Sequence, residues 1–177
     1  MIAQTSYARA FNAAFAGQLG DSDLSRRIVG SLNAAGAAVS AGIGVIESTT
    51  ADEFTLPSDA GTDNNLAGVV LNTFARNPGD QSVQLAGTTA IVNGGMANLL
   101  TRGAVWVSKE TGAIAMGDLV YLRYTAAGGA VAGQFSNTSD GGKNVVLKGA
   151  RWLAAAASGD AVALLEIDVM ACRSAAT

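Results

Sequence analysis

The chain has 177 residues, of which 49% are hydrophobic and 14% charged, with 22 glycines and a formal net charge of −3. That balance excludes intrinsic disorder, which needs low hydrophobicity and high net charge. It also excludes a basic nucleic-acid binder, because 11 Lys and Arg stand against 14 Asp and Glu. With no His, the commonest general base and zinc ligand are missing, and the single cysteine, Cys172, rules out an intrachain disulfide or a cysteine metal cluster.

The length suits one domain, or a domain with an arm, and at this size a chain buries roughly 70% of its surface without staples. The opening MIAQTSYARAFNAAFA is not read as a secretory signal, since Gln4, Arg9 and Asn12 interrupt the apolar run that such a signal needs. Residues 28–46, IVGSLNAAGAAVSAGIGVI, carry no charge, but their Ala, Gly, Ser and Asn insert poorly into a bilayer. The reading is a soluble protein made in a cytoplasm, with no membrane partner.

In chain order, residues 5–19 carry Tyr7, Phe11 and Phe15 at a spacing of four, which predicts a helix with one apolar face. That face either packs on the chain's own core or docks on another subunit. Gly17 and Gly20 end it. Ser22 and Asp23 then predict the cap of a second short helix, DLSRRIVGSLNAA, ending near Gly36. From Glu47 onward, short Val/Leu/Ile/Thr runs alternate with Gly, Asp and Asn turns. Strands are expected near 43–48, 53–56, 66–76, 82–86, 89–92, 104–108, 119–124, 131–135, 145–153 and 161–169. Residues 57–65 and 137–144 read as loops. The expected fold is mainly β: a compact antiparallel barrel or sandwich over 47–177, preceded by an N-terminal arm over 1–46 with short helical segments.

A Gly-Asp pair followed by an alternating strand recurs three times, at Gly79-Asp80, Gly117-Asp118 and Gly159-Asp160. Gly tolerates the positive φ of a turn, and Asp can bond its own backbone two residues on. The repeat is read as recurrent turn chemistry rather than duplication. Such hairpin units build sandwiches and barrels.

No catalytic constellation emerges. G-x-S-x-G and S-x-x-K are absent, and without His there is no triad. Gly141-Gly142-Lys143-Asn144 lacks the remaining residues of a phosphate loop, and Gly42-Ile43-Gly44 lacks the third glycine of a dinucleotide fingerprint. Asp52 and Glu53 are neighbours, so a strand would point them apart. Asp59 and Asp63 do not meet the EF-hand spacing. Asn137-Thr138-Ser139 matches a glycosylation sequon, which has no meaning without a secretory route. Arg26-Arg27, an isolated basic pair, suits ion pairing or an acidic partner surface and not nucleic acid. The expectation is a non-enzyme with no cofactor and no metal.

Three stretches carry a resemblance. They are Ala10 to Ser22 (AFNAAFAGQLGDS), Gly103 to Val107 (GAVWV) with Ala115 to Tyr121 (AMGDLVY), and Gly149 to Leu153 (GARWL) with Gly159-Asp160 and the closing strand 162–169. Together they resemble the capsid cement, or head decoration, proteins of tailed double-stranded DNA bacteriophages. The resemblance implies an arm and a β domain on the outside of the head. It further implies a homotrimer at local three-fold positions that braces the major capsid protein. On this reading Tyr7, Phe11, Phe15, Leu19, Arg26 and Arg27 serve the arm or a subunit interface, and Trp106 and Trp152 are core or trimer anchors. The Ala- and Gly-rich tract 34–44 departs from the family pattern and leaves the path of the arm open. The alternatives are a head fibre or tail adhesin module, which would need more exposed aromatics, and a small ligand-binding or enzymatic barrel, which would need a polar constellation in its mouth.

Overall fold

The computed structural model describes residues 14–20, 26–58, 65–72 and 90–174. Its elements are β1 (Arg27–Asn33), β2 (Gly44–Glu47), β3 (Glu53–Thr55), β4 (Leu66–Val70), β5 (Met96–Ser108), β6 (Tyr121–Arg123), β7 (Phe135–Ser136), β8 (Asn144–Val146), β9 (Ala150–Trp152), β10 (Val162–Asp168) and α1 (Val169–Ser174). The fold is mainly β, as expected. Strands β1, β3, β2, β4 and β5 pair in that order, and β5 returns to β1, which closes a barrel. β10 and β9 extend the same sheet from β5, and β7, β6 and β8 form a second, three-stranded sheet.

β5 organises the molecule. Its first half pairs with β1, from Leu32↔Met96 to Arg27↔Arg102. Its second half pairs with β10, from Asp168↔Arg102 to Val162↔Ser108. Another edge takes β4 at Leu99 and Leu100. Farther along, residues 17–20 pair with β5: Gly20 N donates to Ala104 O at 2.9 Å, Trp106 N to Gln18 O at 2.8 Å and Gly17 N to Trp106 O at 2.6 Å. A long buried strand must satisfy its polar backbone on both sides, and here four segments share that task.

Two apolar clusters flank this strand. One comprises Val39, Ile43, Val45, Phe54, Val70, Ile91, Ala97 and Leu99. The other, larger cluster runs from Leu66, Leu100, Val105 and Val107 through Leu122, Phe135 and Leu147 to Trp152, Leu165 and Ile167, and so joins the barrel to the small sheet. Leu99 and Leu100 are consecutive, almost wholly buried and in different clusters, so β5 is covered on both faces at that point.

Several expectations need correction. The helix predicted over 22–36 is, from Arg27 to Asn33, strand β1. Ser31 and Asn33 are buried while Ile28, Gly30 and Leu32 are exposed, a period of two that suits a strand. Polar residues at the buried positions disguised it. Asn33 is satisfied there, its Nδ2 donating to Ala37 O and Ile91 O at 2.9 and 2.8 Å and its Oδ1 accepting from Ala35 N. The sheet therefore begins at Arg27, well before the change of composition at Glu47. In the predicted first helix, the described residues 14–20 form a turn and an isolated bridge, Leu19↔Val105. The strand expected at 131–135 is a turn leading into β7, and that expected at 145–153 is broken into β8 and β9. β5 begins eight residues earlier than 104, at Met96. Tyr7, Phe11, Gly79, Asp80 and the strand expected at 82–86 lie outside the described residues.

A bulge lies where β4 meets β2. Val45 pairs with Gly68 and Ile46 with Leu66, leaving Ala67 over. Gly68 has φ +151, and a Cβ there would lie 2.6 Å from the backbone oxygen of Leu100. Gly68→Ala is therefore expected to destabilise the fold by about 1–3 kcal/mol through backbone strain alone. A urea unfolding curve with a lowered midpoint and unchanged slope would show it.

Candidate functional site

The surface is built on one recurring turn. At residues 115–118, Asp118 N donates to Ala115 O at 3.3 Å while Asp118 Oδ2 accepts from Ala115 N at 2.8 Å. At 157–160, Asp160 N donates to Ala157 O at 3.1 Å and Asp160 Oδ2 accepts from Ala157 N at 2.7 Å. The Asp thus bonds three residues back, and not two residues on as the sequence reading had it. The segments leading into these two turns pair with each other through Ile114 and Ala156. Gln does the same work twice more. Gln18 Oε1 accepts from Phe15 N at 3.3 Å, and Gln134 Oε1 from Val131 N at 2.9 Å. The signal was present in the sequence as the repeated Ala-Gly-Gln at 16–18 and 132–134, but a search confined to Gly-Asp misses it. In the turn at 15–18, Gly17 has φ +79 and its absent Cβ would lie 2.6 Å from Asn72 N, so no other residue fits.

Three of these turns present a large apolar side chain to solvent: Phe15 is 41% exposed, Met116 69% and Val131 51%. The turns bearing Phe15 and Val131 sit beside the start of β2, where Ala16 lies against Gly42 and Gly44 N donates to Gly133 O at 2.9 Å. Leu19 packs against the chain's own larger cluster, so the arm residues from Gly17 to Gly20 are part of the domain. Arg26 and Arg27 are exposed. Trp152 is buried in the core with Nε1 donating to Leu119 O at 3.3 Å. Trp106 is half-buried, opposite Leu164 in the β5–β10 ladder.

One buried charge holds the small sheet. Arg123, 3% exposed, donates through Nε to Glu110 Oε1 at 2.5 Å, through Nη2 to Glu110 Oε2 at 2.9 Å and Asp140 Oδ2 at 3.0 Å, and through Nη1 to Thr125 O at 3.1 Å. Hydrogen bonding to Glu110 raises its pKa despite burial. The hydrogen bond from Arg123, helped by Lys143, holds the Asp140 carboxyl below its ordinary range. The backbone bond from Ala115, then that from Asn137, does the same for Asp118. Among the described residues, no group of three or more His, Cys, Asp or Glu is placed to hold a metal ion, and no helix is long and apolar enough to cross a membrane.

At the other end of β2, around Glu47, lies a groove of about 840 Å³ between β1, the 47–53 turn and the start of α1. Its charged lining includes Arg27, Arg102, Arg173, Asp52, Glu53 and Asp168. Arg102 lies 3.6 Å from Asp168, and Arg173 lies 2.6 Å from Glu47.

The described chain is thus a barrel with an appended small sheet, an arm root sewn into it and apolar turn tips. A family model described as "Structural cement protein (E217 gp24/Pam3 gp6)" matches residues 3–168. The chain belongs to the phage structural cement protein family. Among solved structures it is similar to a chain of the capsid of Myoviridae phage XM1, with a TM-score of 0.65 at 12% identity, covering 95% of this chain and 98% of that one. That likeness is one of fold. No curated protein matches in sequence. This cement protein is thus a capsid-associated structural component of a bacteriophage.

The lowered carboxyl values fix a direction for acid stability. Asp118 and Asp140 stabilise the fold fully above their ordinary value of 3.8, and that contribution is lost as pH falls through the lower folded-state values. Thermal melts are expected to be flat from pH 7 to about 5 and to drop below about pH 4. Asp118→Asn should flatten part of that drop. Arg123→Met leaves the Glu110 carboxylate, 13% exposed, without its partner, and should cost about 3–5 kcal/mol in urea unfolding at pH 7.

Proposed function

We propose that this cement protein binds the outer surface of the phage head as a homotrimer at local three-fold positions and stabilises the shell by bridging major capsid protein subunits. The family match over residues 3–168 carries the reading, because it spans both the β domain and the segment ahead of it. The exposed Phe15, Met116 and Val131 support it as apolar anchors held on rigid turns. Trp106, half-buried beside the arm root, suits a subunit contact better than Trp152 does. Residues 1–13, with Tyr7 and Phe11, act as the docking arm proper, and Arg26 and Arg27 contact an acidic partner surface.

Each anchor contributes little. Burying one Phe is worth roughly 1.5–3 kcal/mol by transfer, less the cost of ordering the arm. A trimer multiplies such contacts within one molecule, since three linked sites raise the effective concentration of the second and third. A symmetric shell then repeats the trimer many times.

Two measurements test this. Light scattering at micromolar concentration is expected to give about three times 17.7 kDa, and a strict monomer both free and on the shell would refute the trimer. In co-sedimentation with purified shells that lack the protein, deletion of residues 1–13 should lower the bound fraction at least about fivefold with little change in melting temperature. Deletion of residues 1–20 should lower the melting temperature as well, because it removes the backbone bonds of Gly17, Gln18 and Gly20 to β5.

A further inference from the structure

The barrel closes imperfectly at one seam. β1 meets β3 only at Leu32↔Glu53 and Asn33↔Phe54. Before Leu32 the two strands part around the turn at 48–52. The β1–β5 ladder uses the odd residues of β1, as Asn33 N donating to Gly95 O indicates, while Leu32 N points the other way and donates to Asp52 O at 2.8 Å. Strand alternation therefore turns the N–H and C=O of Ile28 and Gly30 toward the side where β3 would have been. Both residues are exposed, and among the described residues nothing pairs with that edge.

The groove lies along this edge. Its apolar lining includes Val29, Ala67, Leu99, Val169 and the exposed Met170, and Ala67 is the residue that the β4 bulge leaves over. Asp52 stands where the β1–β3 pairing ends. It is the one described non-glycine residue with positive φ, at 61°, and its carbonyl accepts from both Leu32 N and Ser31 Oγ, the latter at 2.9 Å. A strained backbone that ends a strand pairing beside a groove points to use of the groove. Two of the ion pairs, Arg102–Asp168 and Arg173–Glu47, cancel within the lining. What is left over is polarised: Arg27 at the start of the open edge, Asp52 and Glu53 at its far end.

We propose that this edge takes an extended peptide segment of the capsid partner, added as a strand beside β1. The inference rests on the capsid-binding reading above and names the grip. An exposed edge is a template for strand addition, with backbone bonds giving affinity and alternate side chains giving specificity. The segment that fits is about three to five residues long. Its alternate side chains are small and apolar where they meet Val29, Ala67, Leu99 and Val169. It carries an acidic residue toward Arg27 and a basic one toward Asp52 and Glu53. The open edge is short and stands beside the 48–52 turn, which suits a single peptide better than the sheet of a second whole domain.

Gly30→Pro tests this directly. Proline removes the N–H that points into the groove while leaving the β1–β5 bonds intact, and proline is tolerated on edge strands. Wild-type protein and the variant, matched for melting temperature, would be co-sedimented with shells lacking the protein. Hydrogen exchange would be followed at Ile28 and Gly30, free and shell-bound, on the wild type. The expected result is a loss of at least about tenfold in shell affinity for the variant, with those two amides exchanging fast in free protein and slowly on the shell. Equal binding by wild type and a folded variant, or amides that stay fast on the shell, would overturn the groove inference while leaving capsid binding intact. Failure of the wild type to bind shells would instead overturn the reading on which it rests. Amides already protected in free protein, with protection that grows with concentration, would show that a second copy occupies the edge and would equally refute the proposal. If the variant does not fold, the exchange measurement on the wild type decides alone.

Discussion

Everything in this molecule depends on satisfying the backbone of one thirteen-residue strand, β5. A strand of that length, buried on both faces at Leu99 and Leu100, carries two rows of amides and carbonyls that need partners. The chain meets this obligation in pieces: β1 and then β10, β4 and then the arm root at residues 17–20. Because each piece comes from a different part of the sequence, the barrel, its extension and the root of the arm fold as one unit. The two clusters on either side of β5 complete the link, since Leu99 and Leu100 each anchor one of them.

The rest of the polar inventory is spent on shape. Turn tips are held by a side-chain oxygen bonded to the backbone amide three residues earlier, supplied by Asp118, Asp160, Gln18 and Gln134. Arg123 is almost wholly buried, yet two carboxylates and a carbonyl meet its donors, so the small sheet carries a fixed charge cluster beside the packing of Leu122 and Phe135. Lys109 is treated alike, its Nζ donating to Glu110 O and Gly112 O at 3.2 and 2.7 Å. Breaking such a pair costs far more than it contributes to net stability, so its value lies in fixing one arrangement. A protein that docks on a repeating lattice gains from that rigidity, because each site must present the same surface.

Two surfaces follow from this frame, and they lie at the two ends of β2. One carries the arm root and the apolar tips Phe15 and Val131, and the other carries the open seam of the barrel. The chain's membership of the structural cement family is shown by the family match over residues 3–168.

Composition and local pattern determined a good deal: a folded chain with few charges, no histidine and turn chemistry at regular intervals, and so a mainly β fold. These properties are local or summed over residues, and neither needs a tertiary contact to be read. Of the three Gly-Asp pairs, Gly117-Asp118 and Gly159-Asp160 close turns among the described residues, and Trp152 is buried in the core. Only the tertiary structure decided that residues 27–33 are a strand. RIVGSLN places Ser and Asn at buried positions, and these become acceptable only when Asp52, Ala37 and Ile91 arrive to bond them. It likewise decided that Leu19 packs against the core and that, among the described residues, no strand but β5 pairs with β1 beside Gly30. Both depend on which distant strand a backbone edge meets, and pairing across a long stretch of chain leaves no periodicity in the sequence to announce it.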